Sequence, residues 1–412
     1  MFCSGLVCDR CGSYYLPDQR VLLCPSCGGV LDAQYDEQRI RNTANLKHIL
    51  SRPPTVWRWA EFLPVLDEKF HVNLGAGGSP LLPCPRLSEW VGAGSLYVKY
   101  EGMQPTHSLK DRSFAVAVAK ATELGVSYGL TYSSGNAAAA FAAHANRAGL
   151  RGVVLVDSCA NAAKLEMVRS YGCPVLLIDW EDFRDVETMM RQAWEILGVF
   201  TFVNFQNPWR HEAYKTYAFE NWLDLGHRVP EHEIHPVGTG GGLFGSWKGY
   251  RDLAMMGWSE RIPRLYGVQP SACPSVVTAF EHGAQEAISE GDPRATIAEA
   301  IANNVPFDAG RRPLRTVRDT GGQMLAVSDD EMTEGIRQLA REGICAEPAG
   351  ASTVCAARQL ARAGVIHSGE IVVCTVTASG VKQPGVGLPT TPPPRIRASF
   401  QELKRALQEV VS

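Results

Sequence analysis

The chain is short of several things, and each shortage removes a class of function. Lysine and arginine (40) do not outnumber aspartate and glutamate (43), so the net charge is -3 and no basic field invites a nucleic acid or an anionic membrane. No stretch stays apolar for the ~18 residues a transmembrane helix needs. The opening Met1-Phe2-Cys3-Ser4-Gly5 lacks the basic region and apolar core of a secretory signal, so none is expected. Internal repeats and low-complexity tracts are missing too. What is there is an ordinary globular balance, 45% hydrophobic and 20% charged over 412 residues, enough for two or three domains with buried cores.

Cysteine is plentiful. Five of the twelve fall before residue 28, and seven scatter through apolar contexts. An oxidised secreted scaffold is smaller and denser in cysteine, so a reducing cytoplasm is the expected compartment. Cys8-x2-Cys11 and Cys24-x2-Cys27 are separated by twelve residues, and each pair is followed by glycine (Gly12, Gly28). Four soft thiolates on two tight knuckles suit a closed tetrahedral zinc site. A pair of disulfides, or a ribbon that has lost its metal, fits the same spacing. Cys3 is left over as a non-ligand.

From about residue 96 onward, short apolar runs alternate with amphipathic segments. Strands are expected at 96–100, 129–132, 152–156, 175–178, 200–204, 235–237, 265–269 and 370–375. Helices are expected at 114–124, 137–148, 163–171, 186–197, 211–225, 243–256, 329–341, 349–363 and 398–411. Such alternation predicts an α/β protein with two parallel-sheet, three-layer lobes around a cleft. A proline-rich linker at 390–394 precedes the last helix.

Four motifs carry possible chemistry. In Pro105-Thr106-His107-Ser108-Leu109-Lys110-Asp111-Arg112, a lysine follows a strand and a turn at a helix start. A lysine there can form a Schiff base with an aldehyde cofactor, although by itself it reads more often as a surface lysine. Ser133-Ser134-Gly135-Asn136 ends a strand where a helix begins, so its free N–H groups can bind a carboxylate or simply cap the helix. Gly238-Thr239-Gly240-Gly241-Gly242 joins a strand to a helix and can wrap a phosphate. It matches neither a P-loop nor G-x-G-x-x-G, so a small cofactor phosphate is favoured over a dinucleotide, with a plain flexible turn as the alternative. Residues 374–380 end the last strand and offer Thr377, a neutral hydroxyl that could face a ring nitrogen.

In this order and at these separations the motifs resemble those of threonine synthases, within the tryptophan synthase β-like (fold type II) family of pyridoxal-phosphate enzymes. Residues 75–82 resemble its G-E-G-x-T-P-L entry segment, 105–112 its P-T-G-S-F-K-D-R, and 133–136 its S-T-G-N. Val203-Asn204 with Asn207-Pro208-Trp209-Arg210, then Glu212, Lys215, Thr216, Phe219 and Glu220, resembles V-N-x-x-N-P-x-R-x-E-G-x-K-T-x-A-F-E. The cysteine segment resembles the ribbon of many such enzymes. The resemblance implies that Lys110 holds pyridoxal phosphate, Asn136 bonds its ring hydroxyl, Gly238, Thr239, Gly240, Gly241 and Gly242 cradle its phosphate, and Thr377 meets its pyridine nitrogen. It also implies that His107, Ser108, Ser133, Ser134, Gly135, Asn204, Phe205 and Arg210 line the substrate side, with Asn204 and Arg210 on a substrate phosphate. Cys8, Cys11, Cys24 and Cys27 would hold structural zinc.

The departures lie mostly on the substrate side. His107 replaces a glycine, Phe205 a frequent serine, Ala137 a threonine, Thr239 and Gly242 two asparagines, and Ala378 and Ser379 a glycine and a histidine. The first expectation is therefore a threonine-synthase-like lyase turning O-phospho-L-homoserine and water into L-threonine and phosphate. The alternatives are β-replacement on O-phosphoserine or a related amino acid, as in cysteate synthase, and a serine/threonine dehydratase-type ammonia-lyase. A metal-binding regulatory protein that kept the fold without catalysis is disfavoured by the presence of Lys110. The expected divisions are a ribbon at 1–35, a large lobe at 36–100 and 205–385, a small mobile lobe at 101–204, and a linker and helix at 386–412. A cytoplasmic homodimer without nucleic-acid or membrane partners is expected.

Overall fold

The computed structural model describes residues 2–133, 135–158, 162–179, 183–204, 206–304, 306–387 and 395–411. Ser134, Phe205 and the proline-rich 390–394 stretch lie outside the described residues.

Among the described residues there are three sheets. The first is antiparallel, in the order β2-β1-β3, from β1 (Cys3–Cys8), β2 (Tyr14–Tyr15) and β3 (Leu31–Tyr35). The second takes β4 (Leu81–Pro83) and β5 (Ser95–Tyr100) from early in the chain. The third takes β6 (Tyr128–Tyr132), β7 (Arg151–Asp157), β8 (Val175–Ile178) and β9 (Phe200–Thr201), all parallel, in the order β8-β7-β6-β9. The chain then returns to complete the second sheet with β10 (His232–Pro236), β11 (Arg264–Pro270), β12 (Met324–Val327) and β13 (Ile371–Val376). Its order is β12-β11-β10-β13-β5-β4, parallel except for β4 against β5. Every residue of β13 is buried, as a central parallel strand covered on both faces must be.

The α/β class and its parallel sheets follow the sequence reading, and several elements differ from it in detail. The helices Lys110–Glu123 and Asn136–Arg147 are buried on nearly all sides instead of being amphipathic. Their alanines are small enough to let neighbouring backbone approach, and Phe114, Phe141 and Phe202 fill the remaining space. Strand β10 begins three residues earlier than its apolar run suggests. Glu233, buried within it, accepts from Ser246 Oγ (2.6 Å) and Tyr250 Oη (2.5 Å) and pairs with His235 Nε2 (2.6 Å), so a charged residue sits in a central strand at no unpaired cost. Strand β9 stops at Thr201, and the expected 211–225 helix starts as a 3-10 turn, Glu212–Lys215, before Thr216–Asp224. Strand β12 and the helix Arg311–Asp319 escape the sequence reading altogether. Ribbon residues Cys3, Leu6 and Leu31 share a hydrophobic core with the Lys110–Glu123 helix and Trp209, so the ribbon is packed into the body. No helix among the described residues is long and apolar enough to cross a membrane.

Candidate active site

Strands β10, β13 and β5 are neighbours, and their carboxyl ends open on the same side of the sheet. Three of the motifs hang from those ends: the glycine loop after β10, Thr377 after β13, and the turn carrying Lys110 after β5. This is where an open parallel sheet binds its ligands. The turn is stitched down by its backbone, with Leu109 N–H donating to Thr377 O (2.8 Å) and Ser108 bridging Ala378.

The residues flanking Lys110 hold it in place. Asp111 Oδ2 accepts from both N and Oγ1 of Thr106 (2.9 Å each), closing the loop in front of the helix. Burial pushes this carboxyl up to about 7 despite those bonds. Arg112 is fully buried and forks onto Glu101 (2.8 Å) and Glu220 (2.7 Å), with further bonds to Ser79 (2.8 Å) and Thr216 (2.7 Å). Burial of the Lys110 ammonium, reinforced by the nearby Arg210 cation and opposed by Glu347, brings its pKa from 10.5 down to about 7. Near neutral pH a large share of this amine is therefore uncharged and nucleophilic.

Across the cleft, β6 leads through Ser133 and Gly135 into the helix Asn136–Arg147, and Gly135 has open space where a side chain would point. Asn136 Nδ2 donates to Glu347 Oε2 (2.9 Å), while its buried Oδ1 has no protein partner. The Ser108 hydroxyl is also buried and unpartnered. Glu347 stands at the N-cap position of the helix Pro348–Arg362, with no side-chain bond to the helix, and is a buried carboxylate of the site. The sequence reading missed it, although the Glu-Pro helix start was a visible signal.

The glycine loop ends at the N-terminus of a 15-residue helix, Gly241–Met255, with Gly240 at φ 81. Asn204 reaches the loop, its Nδ2 donating to Thr239 Oγ1 and its Oδ1 lying 3.2 Å from His211 Nε2. Arg210 is buried beside Lys110, with Nε on Ser113 Oγ (2.9 Å) and Nη1 on Phe202 O (2.9 Å). His107 occupies the left-handed region (φ 63) where the resembled motif has glycine, so the backbone bend is kept and the histidine bears its strain. Its ring is exposed, with Nδ1 3.3 Å from Gly102 O.

The Sγ atoms of Cys8, Cys11, Cys24 and Cys27 all lie within 4.8 Å of one another. Cys8–Cys27 and Cys11–Cys24 are each 3.5 Å apart, well beyond the ~2.05 Å of a disulfide. Gly12 (φ 74) and Gly28 (φ 69) take the left-handed turns that close the two knuckles.

A nucleophilic amine, a helix N-terminus that attracts anions and two unpartnered buried polar groups around one cleft fit an aldehyde cofactor bearing a phosphate. Such a site defines an enzyme that works through a carbonyl cofactor. The family model described as pyridoxal-phosphate dependent enzyme matches residues 72–378, and the chain belongs to that family. It is 36% identical to threonine synthase of Methanocaldococcus jannaschii over 98% of this chain and 99% of that one. It is also 36% identical to threonine synthase of Methanosarcina acetivorans over 92% of each. Among solved structures, maize serine racemase superposes with a TM-score of 0.65 at 19% identity, covering 81% of this chain and 94% of that one. A threonine deaminase from Solanum lycopersicum gives 0.62 at 20%, covering 81% and 83%. The protein is thus a pyridoxal-phosphate-dependent, threonine-synthase-like lyase.

Proposed function

We propose that the chain converts O-phospho-L-homoserine and water to L-threonine and phosphate. The observation that carries this is the 36% identity to a threonine synthase along 98% of the chain, ribbon included. Bound in the cleft, pyridoxal phosphate supplies an electron sink for negative charge at the substrate α carbon. Lys110 Nζ, with its pKa brought down to about 7, holds the cofactor and takes the α-proton once released from it. Gly238 to Gly242, at a helix start, hold the cofactor phosphate through backbone N–H groups, with the Thr239 hydroxyl beside them. Asn136 serves the ring hydroxyl and Thr377 the ring nitrogen. Ser133 and Gly135 present the start of a second helix to the substrate carboxylate. Arg210 Nη2 takes the substrate phosphate, which leaves from Cγ after a Cβ proton is lost; a proton then returns to Cγ, and water adds its hydroxyl at Cβ and its proton at Cα. We further propose structural zinc on the four cysteines, large and small lobes that close around this cleft, and a homodimer. Metal analysis of the wild type and of Cys8→Ser and Cys11→Ser checks the zinc, with one equivalent expected only in the wild type.

A second reading, replacement at Cβ or ammonia elimination on an unphosphorylated amino acid, is favoured by one observation. Asn204 is engaged with Thr239 and His211, and two nitrogens of Arg210 are tied to protein, leaving few groups for a substrate phosphate. A panel of O-phospho-L-homoserine, O-phospho-L-serine with candidate nucleophiles, L-serine and L-threonine, followed by phosphate, ammonia and amino-acid analysis, separates the two. Threonine from phosphohomoserine supports the first reading, turnover of L-serine or L-threonine alone replaces it with the second, and turnover of O-phospho-L-serine alone replaces both with β-replacement on a phosphorylated amino acid.

A further inference from the structure

The ribbon lies against the helix Arg311–Asp319, and that helix lies against the glycine loop. Asp9, between Cys8 and Cys11, accepts from Arg312 Nε (2.8 Å), and Leu31 O of β3 accepts from Arg312 Nη2 (2.9 Å). Next along the chain, Arg10 pairs with Asp308 (3.6 Å). Asp308, Ala309 and Gly310 take consecutive left-handed conformations (φ 59, 50 and 68) just before the helix. Two non-glycine residues there store strain that persists only where neighbours impose it, and Arg10 is such a neighbour. The turn delivers two residues to the loop. Pro313 packs on Gly240, where an added Cβ would lie 2.9 Å from its Cγ. Arg312 Nη1 lies 3.3 Å from His211 Nδ1, and His211 lies under Gly241.

The arginine fixes the direction of every bond beyond it. A guanidinium only donates, so His211 Nδ1 accepts and its proton sits on Nε2. Burial and the Arg312 cation hold this imidazole well below its usual pKa, which keeps it neutral. His211 Nε2–H then donates to Asn204 Oδ1, and Asn204 Nδ2 donates to Thr239 Oγ1. With its oxygen already accepting, the Thr239 hydroxyl has its proton free to donate to an anion in the loop.

We infer that the Cys8–Cys11 knuckle is a positioning element of the glycine loop, acting through Asp9, Arg312, His211 and Asn204 to orient the Thr239 hydroxyl as a phosphate donor. This rests on the reading that the loop holds the cofactor phosphate. Neither Arg312 nor Asp9 touches the cofactor; both act through His211.

The test is the affinity of the full-length apoprotein for pyridoxal phosphate and for phosphate-free pyridoxal, read by absorbance in wild type, Arg312→Met, Asp9→Asn and the double variant. Pyridoxal reports folding and Lys110 reactivity without the loop. Arg312→Met is expected to weaken pyridoxal phosphate about tenfold, the value of one charge-assisted hydrogen bond, and to leave pyridoxal within about twofold. Asp9→Asn, at a partly exposed position the fold tolerates, shows a smaller loss in the same direction, and the double variant is no worse than Arg312→Met alone. If wild type gains nothing from the phosphate group, the loop reading fails and the inference with it. If wild type gains and the variants keep that gain, or lose both ligands equally, the inference alone is overturned.

Discussion

At the scale of the residue, the chemistry turns on how the chain lowers one lysine. Lys110 reaches about 7 because its ammonium is buried and faces Arg210, with Glu347 only partly offsetting them. The sign follows directly: the reactive amine is the deprotonated form, so reactivity grows as pH rises through about 7 and levels off above it. Capture of pyridoxal by the apoprotein should follow that curve, with its midpoint near 7 instead of the 10.5 of an ordinary lysine, and Lys110→Ala should lack the absorbance band of bound cofactor. A rate still climbing at pH 9, or a band that survives the substitution, contradicts the assignment. Arg210 is the second decisive residue. Two of its nitrogens brace Ser113 and Phe202, so Arg210→Lys keeps the cation while losing the fork. KM for a phosphorylated substrate should rise about tenfold with kcat less affected. An unchanged KM means that the substrate phosphate, if there is one, is held elsewhere.

At the scale of the element, the turn carrying Lys110 is rigid because its neighbours anchor both sides of it. Asp111 closes the loop and Arg112 pins the helix to Glu101 and Glu220. Arg112→Leu leaves Glu101 buried without its cation and Glu220 with Lys99 alone (2.9 Å), and should cost roughly 3–5 kcal/mol in chemical denaturation. A loss under 1 kcal/mol would show that water or Lys99 takes over. How legible each element was depends on how local its signal is. Lys110, the glycine loop and Thr377 announce themselves because each is a strand end followed by a turn or helix start. Strand β10 was misplaced because Glu233 is satisfied by Ser246, Tyr250 and His235, a compensation visible only after folding. The helix Arg311–Asp319 went unrecognised in the sequence, where its run is rich in arginine, yet Arg312 is buried because Asp9, three hundred residues away in sequence, meets it.

At the scale of the whole molecule, the cleft is assembled from segments that no local pattern brings together. Asn136 and Glu347 meet across 211 positions, linking the four-stranded sheet's side of the cleft to the six-stranded sheet's side. His211 and Arg312 were illegible in advance because their roles exist only in distant pairings, and Glu347 showed in the sequence only as a Glu-Pro helix start, with its partner Asn136 out of sight. The ribbon, by contrast, was plain from its spacing, and the fold gives it a buried face and a hydrogen-bonded path toward the loop. With a net charge of -3, the proposed anion recognition would fall to local groups, the helix starts and Arg210. The most direct measurement of the account is product analysis of the cofactor-loaded protein given O-phospho-L-homoserine. The account predicts L-threonine and inorganic phosphate in equal amounts from the wild type and neither from Lys110→Ala. Phosphate without threonine, or no turnover while an unphosphorylated amino acid is consumed, would contradict it.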